Sequence, residues 1–256
     1  FREAIITFLL ADAEVVPHPV DEEGIVLNER PCDYYYVTPG HQVPTGVTMS
    51  SARRRQLLEH ATRHDAVIIE DDYDSESNFT LNPLPALKAS DRSGRVVYVS
   101  SLSKALSPGL RLGFMVADPD LIDEARALRR LVYRHPPTNI QYQMAHFLAQ
   151  GHYETHLRRY HYDSAQRWEC LHAALQRYLP SCRALAGSEH ANAFWLQTPA
   201  QINTQQLTWR AAHAGVLIEP GARHFLNAAP PDNYFRMGFH AINPDAIAQG
   251  VEVLRG

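Results

Sequence analysis

Ser101-Leu102-Ser103-Lys104-Ala105-Leu106-Ser107-Pro108-Gly109-Leu110-Arg111 is the stretch whose reading decides the fold. An apolar run rich in β-branched residues precedes it, Arg95-Val96-Val97-Tyr98-Val99-Ser100, and a second follows, Arg111-Leu112-Gly113-Phe114-Met115-Val116-Ala117. The lysine therefore sits just past a strand end, with Ser101 and Ser103 before it and Arg111 after it. An amine so placed can form a Schiff base with an aldehyde, while hydroxyls and a guanidinium hold a phosphate. Taken one at a time these residues say less. A lone lysine is most simply a solvated surface residue, and Ser101 and Ser103 suit turn and cap chemistry equally well. Their combination at short loop spacing is what carries the reading.

Upstream, Ala66-Val67-Ile68-Ile69-Glu70-Asp71-Asp72-Tyr73 ends another apolar strand in acids. Adjacent acids after a strand serve loop solvation or a metal in most settings, whereas a single carboxylate there can face a protonated pyridine nitrogen. Side chains alternate along an extended chain, so Asp71 and Tyr73 point one way and Asp72 the other. Asp71 is accordingly preferred to Asp72. Tyr73 can donate to a phenolic oxygen, or be a partly buried tyrosine with a satisfied hydroxyl. Lys104, Asp71, Tyr73, Ser101, Ser103 and Arg111 together describe a pyridoxal 5'-phosphate (PLP) site.

Around this centre the chain alternates short apolar strands with helical stretches, which predicts parallel α/β packing. Strands are expected at Glu14 to Val20, Tyr34 to Thr38, Ala66 to Glu70, Val96 to Ser100 and Leu112 to Ala117. A helix from Ser50, a serine N-cap, to Ala61 should turn Leu57, Leu58 and Ala61 to the sheet and Arg53-Arg54-Arg55 to water. Asp118 to Arg134 reads as a second helix, opened by acids and closed by bases. Pro136-Pro137 breaks the pattern. Helix follows from about Asn139 to Leu179, interrupted near Gly151. A smaller α/β unit then has strands near Ala193 to Thr198, Gly215 to Glu219 and Tyr234 to Phe239, with helices near Thr204 to Ala214 and Asp245 to Leu254. The expected division is a large lobe over 1–135, connecting long helices over 136–180 and a small lobe over 181–256.

Composition bounds the function. The 256 residues are 45% hydrophobic and 20% charged, ordinary for a globular chain able to bury a sizeable core. A formal net charge of -4 gives this segment no electrostatic reason to bind DNA itself. Cys32, Cys170 and Cys182 have neither metal-type spacing nor the even count of a disulfide framework, so a reducing cytoplasm is the default. No apolar run is long enough to span a membrane. The opening Phe1-Arg2-Glu3-Ala4-Ile5-Ile6-Thr7-Phe8-Leu9-Leu10 has no signal-peptide layout and no initiator methionine, as expected for a piece of something longer. His152 and His156 have the i,i+4 spacing of a metal pair, but no acid completes a site, and a solvated or interfacial helix face is expected. Tyr34-Tyr35-Tyr36 suits a buried strand. No metal is predicted.

Glu70-Asp71-Asp72-Tyr73-Asp74-Ser75-Glu76 and the Ser101 to Arg111 stretch resemble the signatures of fold-type I PLP proteins. The nearest match is the aminotransferase-like domain of MocR/GabR-type bacterial transcription regulators. Tyr36-Val37-Thr38-Pro39-Gly40-His41-Gln42-Val43-Pro44-Thr45-Gly46 and Val16-Pro17-His18-Pro19-Val20-Asp21-Glu22-Glu23-Gly24 favour the regulators over ordinary aminotransferases. The resemblance spans nearly the whole chain. It implies an α/β, fold-type I aminotransferase-like architecture, a large mostly parallel sheet lobe plus a smaller C-terminal α/β lobe.

Carried over residue by residue, Lys104 matches the lysine that holds PLP as an internal aldimine, and Asp71 the acid at the pyridine nitrogen. Tyr73 matches the hydroxyl near the phenolic oxygen, Arg111 the phosphate arginine, and Ser101 and Ser103 further phosphate ligands. Arg223, in Gly221-Ala222-Arg223-His224-Phe225, resembles an arginine gripping the acidic end of an effector. Arg236, in Tyr234-Phe235-Arg236-Met237-Gly238-Phe239, resembles the carboxylate-binding arginine of aminotransferases. The implied function is a PLP-dependent effector-binding and dimerisation domain of a cytoplasmic regulator. It would sense an amine-bearing anionic molecule, an amino acid or aminosulfonate, through external aldimine formation. DNA would be met only by a winged-helix module outside this chain. The alternative is a catalytically active aminotransferase. Against it, Val43 stands where aminotransferases usually carry the asparagine of Asn-Pro-x-Gly, and valine cannot donate to the cofactor.

Overall fold

Val67-Ile68-Ile69 is β-branched throughout, which favours a pleated, packed strand over a helix, and this run is the centre of a four-stranded sheet. A computed structural model describes residues 2–28, 30–74, 76, 84–185, 192–227 and 229–255. In chain order its elements are α1 (Arg2–Leu10), β1 (Val20–Asp21), β2 (Gly24–Ile25), β3 (Tyr34–Val37), α2 (Ser51–Arg63), β4 (Val67–Asp72), α3 (Leu87–Ser90), β5 (Val96–Ser101), β6 (Gly113–Val116) and α4 (Pro119–Tyr133). There follow α5 (Thr138–Ala149), α6 (His152–Tyr178), β7 (Arg183–Ala184), β8 (Ala193–Gln197), α7 (Thr204–His213), β9 (Glu219–Pro220), β10 (Tyr234–Gly238) and α8 (Pro244–Val253). Two compact units result, one of Glu23–Gly40 and Met49–Tyr162, the other of Phe1–Glu22, His41–Thr48 and Asp163–Gly256. The boundary thus falls inside α6.

In the first unit the sheet order is β3-β4-β5-β6. The pairs β3–β4 and β4–β5 are parallel, and β5–β6 is antiparallel. Strand β6 is the antiparallel member of an otherwise parallel sheet, in keeping with the mostly parallel expectation. A parallel return needs a crossover of a dozen or more residues, and the short connection holding only the Pro108–Leu110 turn supplies none. Ile68, Leu57, Ala61, Val96 and Leu87 form the core between the sheet and its helices, all at most 1% exposed. Helix α2 starts as expected, with Ser50 Oγ accepting from Arg53 N at 3.1 Å.

The arginines of α2 do not all face water. Arg54 is 8% exposed. It donates to the Met49, Pro85 and Pro39 carbonyls at 2.9, 2.7 and 3.0 Å. Its planar fork can serve several acceptors at once, which is why an arginine tolerates this position. Arg53 is also drawn in, donating to the Ile25 carbonyl, and only Arg55 of the three is exposed.

The second unit carries an antiparallel sheet of order β7-β8-β10-β9. One face buries Phe194, Leu196, Phe235 and Met237 against Leu171, Leu175, Ala211, Ile247 and Val251 from the helices. The expected strand over Glu14 to Val20 is reduced to Val20–Asp21. Pro17 and Pro19 remove the amide donors that a longer ladder needs.

Replacing Arg54 with Met should leave three carbonyls without their charged donor and cost about 3 kcal/mol of unfolding free energy. Urea denaturation monitors the loss. Arg54→Lys should recover less than half of it, because one ammonium cannot match the fork.

Candidate functional site

The candidate residues of the first unit lie at the carboxyl ends of its parallel strands, where open α/β sheets bind ligands. Strand alternation divides them. Tyr36 pairs with Ile69, Asp71 with Val99 and Asp72 with Ser100. Tyr36 and Asp71 therefore share one face, and the Tyr36 hydroxyl donates to Asp71 Oδ2. Asp72 turns to the other face. Its Oδ2 accepts from Tyr98 OH at 2.7 Å, and its carbonyl accepts from Ser100 Oγ at 2.9 Å.

Burial pushes the Asp71 carboxyl above the ordinary aspartate range, while the Tyr36 hydrogen bond and the Lys104 charge pull it back down. The Tyr36 phenol is raised by burial and by Asp71 itself, so it remains a protonated donor. The sequence expectation treats Tyr34-Tyr35-Tyr36 as one buried strand and does not single out Tyr36. Only Tyr35 is buried, at 3%, while Tyr34 is 60% exposed. The alternation of the triplet was the available signal.

Lys104 lies beyond β5 and is exposed. Its Nζ sits 3.8 Å from the ring centroid of Tyr73, which is itself buried. Ser101 Oγ accepts from the Ser103 amide at 3.2 Å, and Ser103 is 9% exposed. The β5–β6 ladder runs out with Leu102 N donating to Leu112 O at 3.0 Å. Ser103 and Arg111 consequently stand at the two ends of the loop that contains the lysine. Arg111 is in the left-handed region, φ 47 and ψ 40, which costs a residue with a β-carbon roughly 1 kcal/mol. Gly113 lets β6 approach, since a Cβ there would lie 2.7 Å from the Ser100 carbonyl oxygen. An amine over a phenol ring, a half-buried carboxylate charge-coupled to that amine, two hydroxyls and a guanidinium make up this set. It has the chemistry that an aromatic aldehyde bearing a phosphate requires. Val43 lies in the connection between β3 and α2.

In the second unit Arg236 lies opposite Trp195 on β8 and Glu219 on β9. These three occupy the sheet face away from the helical core. Arg236 Nη1 is 3.4 Å from Glu219 Oε2, and its Nη2 donates to Asn192 Oδ1 at 3.3 Å. Arg223 Nη1 is 3.4 Å from Glu219 Oε1, and His224 Nε2 is 3.3 Å from the same oxygen. Arg223 and Arg236 are thus brought together on one carboxylate that the sequence did not reveal, because the pairing is set by strand register. His224 first, then Arg236 and Arg223, hold the Glu219 carboxyl down at about 2 against the upward push of burial. The turn bearing Arg223 packs closely on the sheet. A Cβ at Gly221 would lie 2.6 Å from the Tyr234 carbonyl oxygen and 2.7 Å from the Trp195 ring. Trp195 in turn stacks on Tyr234 at 5.5 Å and meets His224 edge-on at 5.5 Å.

Of the α6 histidines, His152 is exposed, its ring 5.6 Å from that of Phe147, whereas His156 and His161 are partly buried and each binds a backbone carbonyl. Among the described residues no group of three or more His, Cys, Asp or Glu could hold a metal ion. No described helix is long and apolar enough to cross a membrane.

Residues 37–245 match the family model of aminotransferase class I and II. The HTH-type transcriptional regulator TauR of Rhodobacter capsulatus is 39% identical over 93% of this chain and 50% of its own length. The probable rhizopine catabolism regulatory protein MocR of Rhizobium meliloti is 34% identical over 97% of this chain and 51% of its own. The chain spans about half the length of these curated relatives. Among solved structures, LysN, the α-aminoadipate aminotransferase of Thermus thermophilus, superposes with a TM-score of 0.90 at 28% identity. That likeness covers 100% of this chain and 68% of LysN, which was solved with N-(5'-phosphopyridoxyl)-L-leucine. The expected resemblance to MocR/GabR-type regulators and the fold-type I aminotransferase architecture are both what the comparisons return.

Glu219 has a folded pKa below its ordinary 4.5. Its contribution to stability is therefore full above that value and is lost as pH falls through about 2. Asp91, whose carboxyl is also lowered to about 2, titrates in the same window: burial pushes it up, but the Val96 amide, Lys88 and Ser93 outweigh that. Comparing wild type with Glu219→Gln isolates Glu219. The variant's stability should fall less steeply with acid below pH 4.5, as read by thermal melts across pH.

Proposed function

Because the chain belongs to the aminotransferase class I and II family, we propose that it is the PLP-dependent effector-binding and dimerisation domain of a bacterial transcription regulator. The observation that carries this reading is the Lys104 amine over the Tyr73 ring beside Asp71, in a chain whose curated relatives are regulators. When bound, PLP supplies an electrophilic carbon and an electron-withdrawing ring. Lys104 would hold the aldehyde carbon through Nζ, and Asp71 would serve the pyridine nitrogen. Tyr73 would donate to the phenolic oxygen. Ser101, Ser103 and Arg111 would take the phosphate. Tyr36 fixes the Asp71 carboxylate by donating to one of its oxygens.

The effector is an amine-bearing anion, an amino acid or an aminosulfonate. Arg236 and Arg223 of the second unit are the proposed partners of its acidic group. A ligand that binds two conformations of the domain unequally shifts the balance between them. Two copies of the chain pair, and a winged-helix module outside it contacts DNA in the cytoplasm. Support for an active aminotransferase comes from the family itself and from enzymes of the same fold such as LysN. Val43 argues the other way, because its side chain cannot donate a hydrogen bond where those enzymes use an amide.

Lys104→Ala should abolish the visible absorbance of lysine-bound PLP in the full-length protein; an unchanged spectrum would overturn the assignment. With wild type, a spectral change that persists on adding β-alanine or taurine marks the sensor. Rapid formation of pyridoxamine phosphate with release of a carbonyl product marks the enzyme.

A further inference from the structure

The first turns of α6 reach back to both segments that carry the candidate cofactor residues. His156 Nε2 lies 2.5 Å from the Ala105 carbonyl oxygen, the residue directly after Lys104. Tyr153 OH donates to Glu76 Oε1 at 2.9 Å, and His161 Nε2 lies 2.6 Å from the Glu76 carbonyl oxygen. Glu76 closes the segment that begins with Asp71 and Tyr73. A carbonyl oxygen only accepts, so in both histidine contacts Nε2 carries the hydrogen. Burial, then the Glu76 charge and hydrogen bond, push the Tyr153 phenol up, so it too stays a donor.

These contacts fall where the sheet stops supporting the chain. The β5–β6 ladder ends at Leu102, and β4 ends at Asp72. Beyond those points Lys104 and Tyr73 lie in loop segments outside the strands. The Lys104 amine nevertheless has to stay in register with the Tyr73 ring, 3.8 Å away. A 27-residue helix is the stiffest support at hand, and it contacts one segment through His156 and the other through Tyr153 and His161. The three side chains project from one broad side of the helix.

We propose that Tyr153, His156 and His161 are positioning residues that hold the Lys104 and Asp71–Tyr73 segments in register for PLP without touching it. This rests on the reading of Lys104 as the PLP lysine. A merely structural role would lower the stability of the cofactor-free protein and leave the chemistry of the lysine untouched. A positioning role moves PLP affinity and the pH at which lysine-bound PLP changes colour.

The test uses the full-length protein with PLP as probe. Equilibrium dialysis gives the PLP dissociation constant, a pH titration of the visible band gives its midpoint, and a thermal melt of the cofactor-free protein gives stability. For His156→Ala we expect PLP retention to weaken about tenfold, as for the loss of one buried hydrogen bond, with a shifted midpoint. His156→Gln, whose side-chain amide can still donate to a carbonyl, should restore both. Tyr153→Phe should weaken retention without unfolding the protein, and it keeps the test alive if His156→Ala fails to fold. Wild-type affinity and midpoint in His156→Ala, Tyr153→Phe and His161→Ala alike would overturn the proposal. So would losses confined to the melting temperature. If wild type itself retains no PLP, the reading of Lys104 fails first, and that result is distinct from a wild type that binds beside variants that do the same.

Discussion

Because side chains alternate along an extended strand, β4 deals its residues to two surfaces, and everything placed around it depends on that deal. Ile68 and Glu70 go to the buried side, at 0% and 2% exposure. Asp72 follows them and is taken up by Tyr98. Asp71 goes to the opposite side, where Tyr36 meets it. A register slip of one residue would exchange the two sets, sending Asp71 into the core and Glu70 toward the lysine. The strand's apolar beginning forbids this, since Ile68 fills the centre of the packed layer. Core packing and site chemistry are thus fixed by the same two-residue repeat.

Apolar packing alone would not hold the neighbouring segments at the right height on that strand. Buried charge does so by directional bonds. Glu70 accepts from the Leu87 and Lys88 amides at 2.6 and 2.8 Å, tying α3 to the sheet. Arg54 gathers the carbonyls of Pro39, Met49 and Pro85, three points far apart in sequence. Burial pushes the Glu70 carboxyl up and the Arg54 guanidinium down, and each is opposed by the other's charge. Such groups add little net free energy, yet misplacing their partners leaves a buried charge unsatisfied. They work as registration devices at the base of the site.

What could be read from the sequence is what depends on near neighbours. Lys104 with Ser101, Ser103 and Arg111 lies within a single loop, and the preference for Asp71 over Asp72 follows from counting along one strand. Helix α2 and its serine cap are likewise local. What could not be read depends on distant partners. Arg54 looks like the wet face of a helix until the loops that it binds are folded around it. His156 looks like half of a metal pair until Ala105 arrives from 51 residues away. Glu219 means nothing before β9 and β10 are aligned. The direction of β6 falls between these cases: the length of its connection is visible in the sequence, but a mostly parallel sheet leaves open which strand reverses.

The two arginines of the second unit show why a missed residue matters. An arginine left alone in a partly covered site would be an uncompensated charge. Glu219 removes that cost by sitting against both Arg223 and Arg236, and three cationic or polar neighbours keep it ionised. An incoming acid then exchanges one ion pair for another instead of creating one. At a site about a quarter to a half exposed, such exchanges nearly balance. A simple anion therefore gains little at this face, and any ligand held there tightly must add contacts beyond the two guanidinium groups.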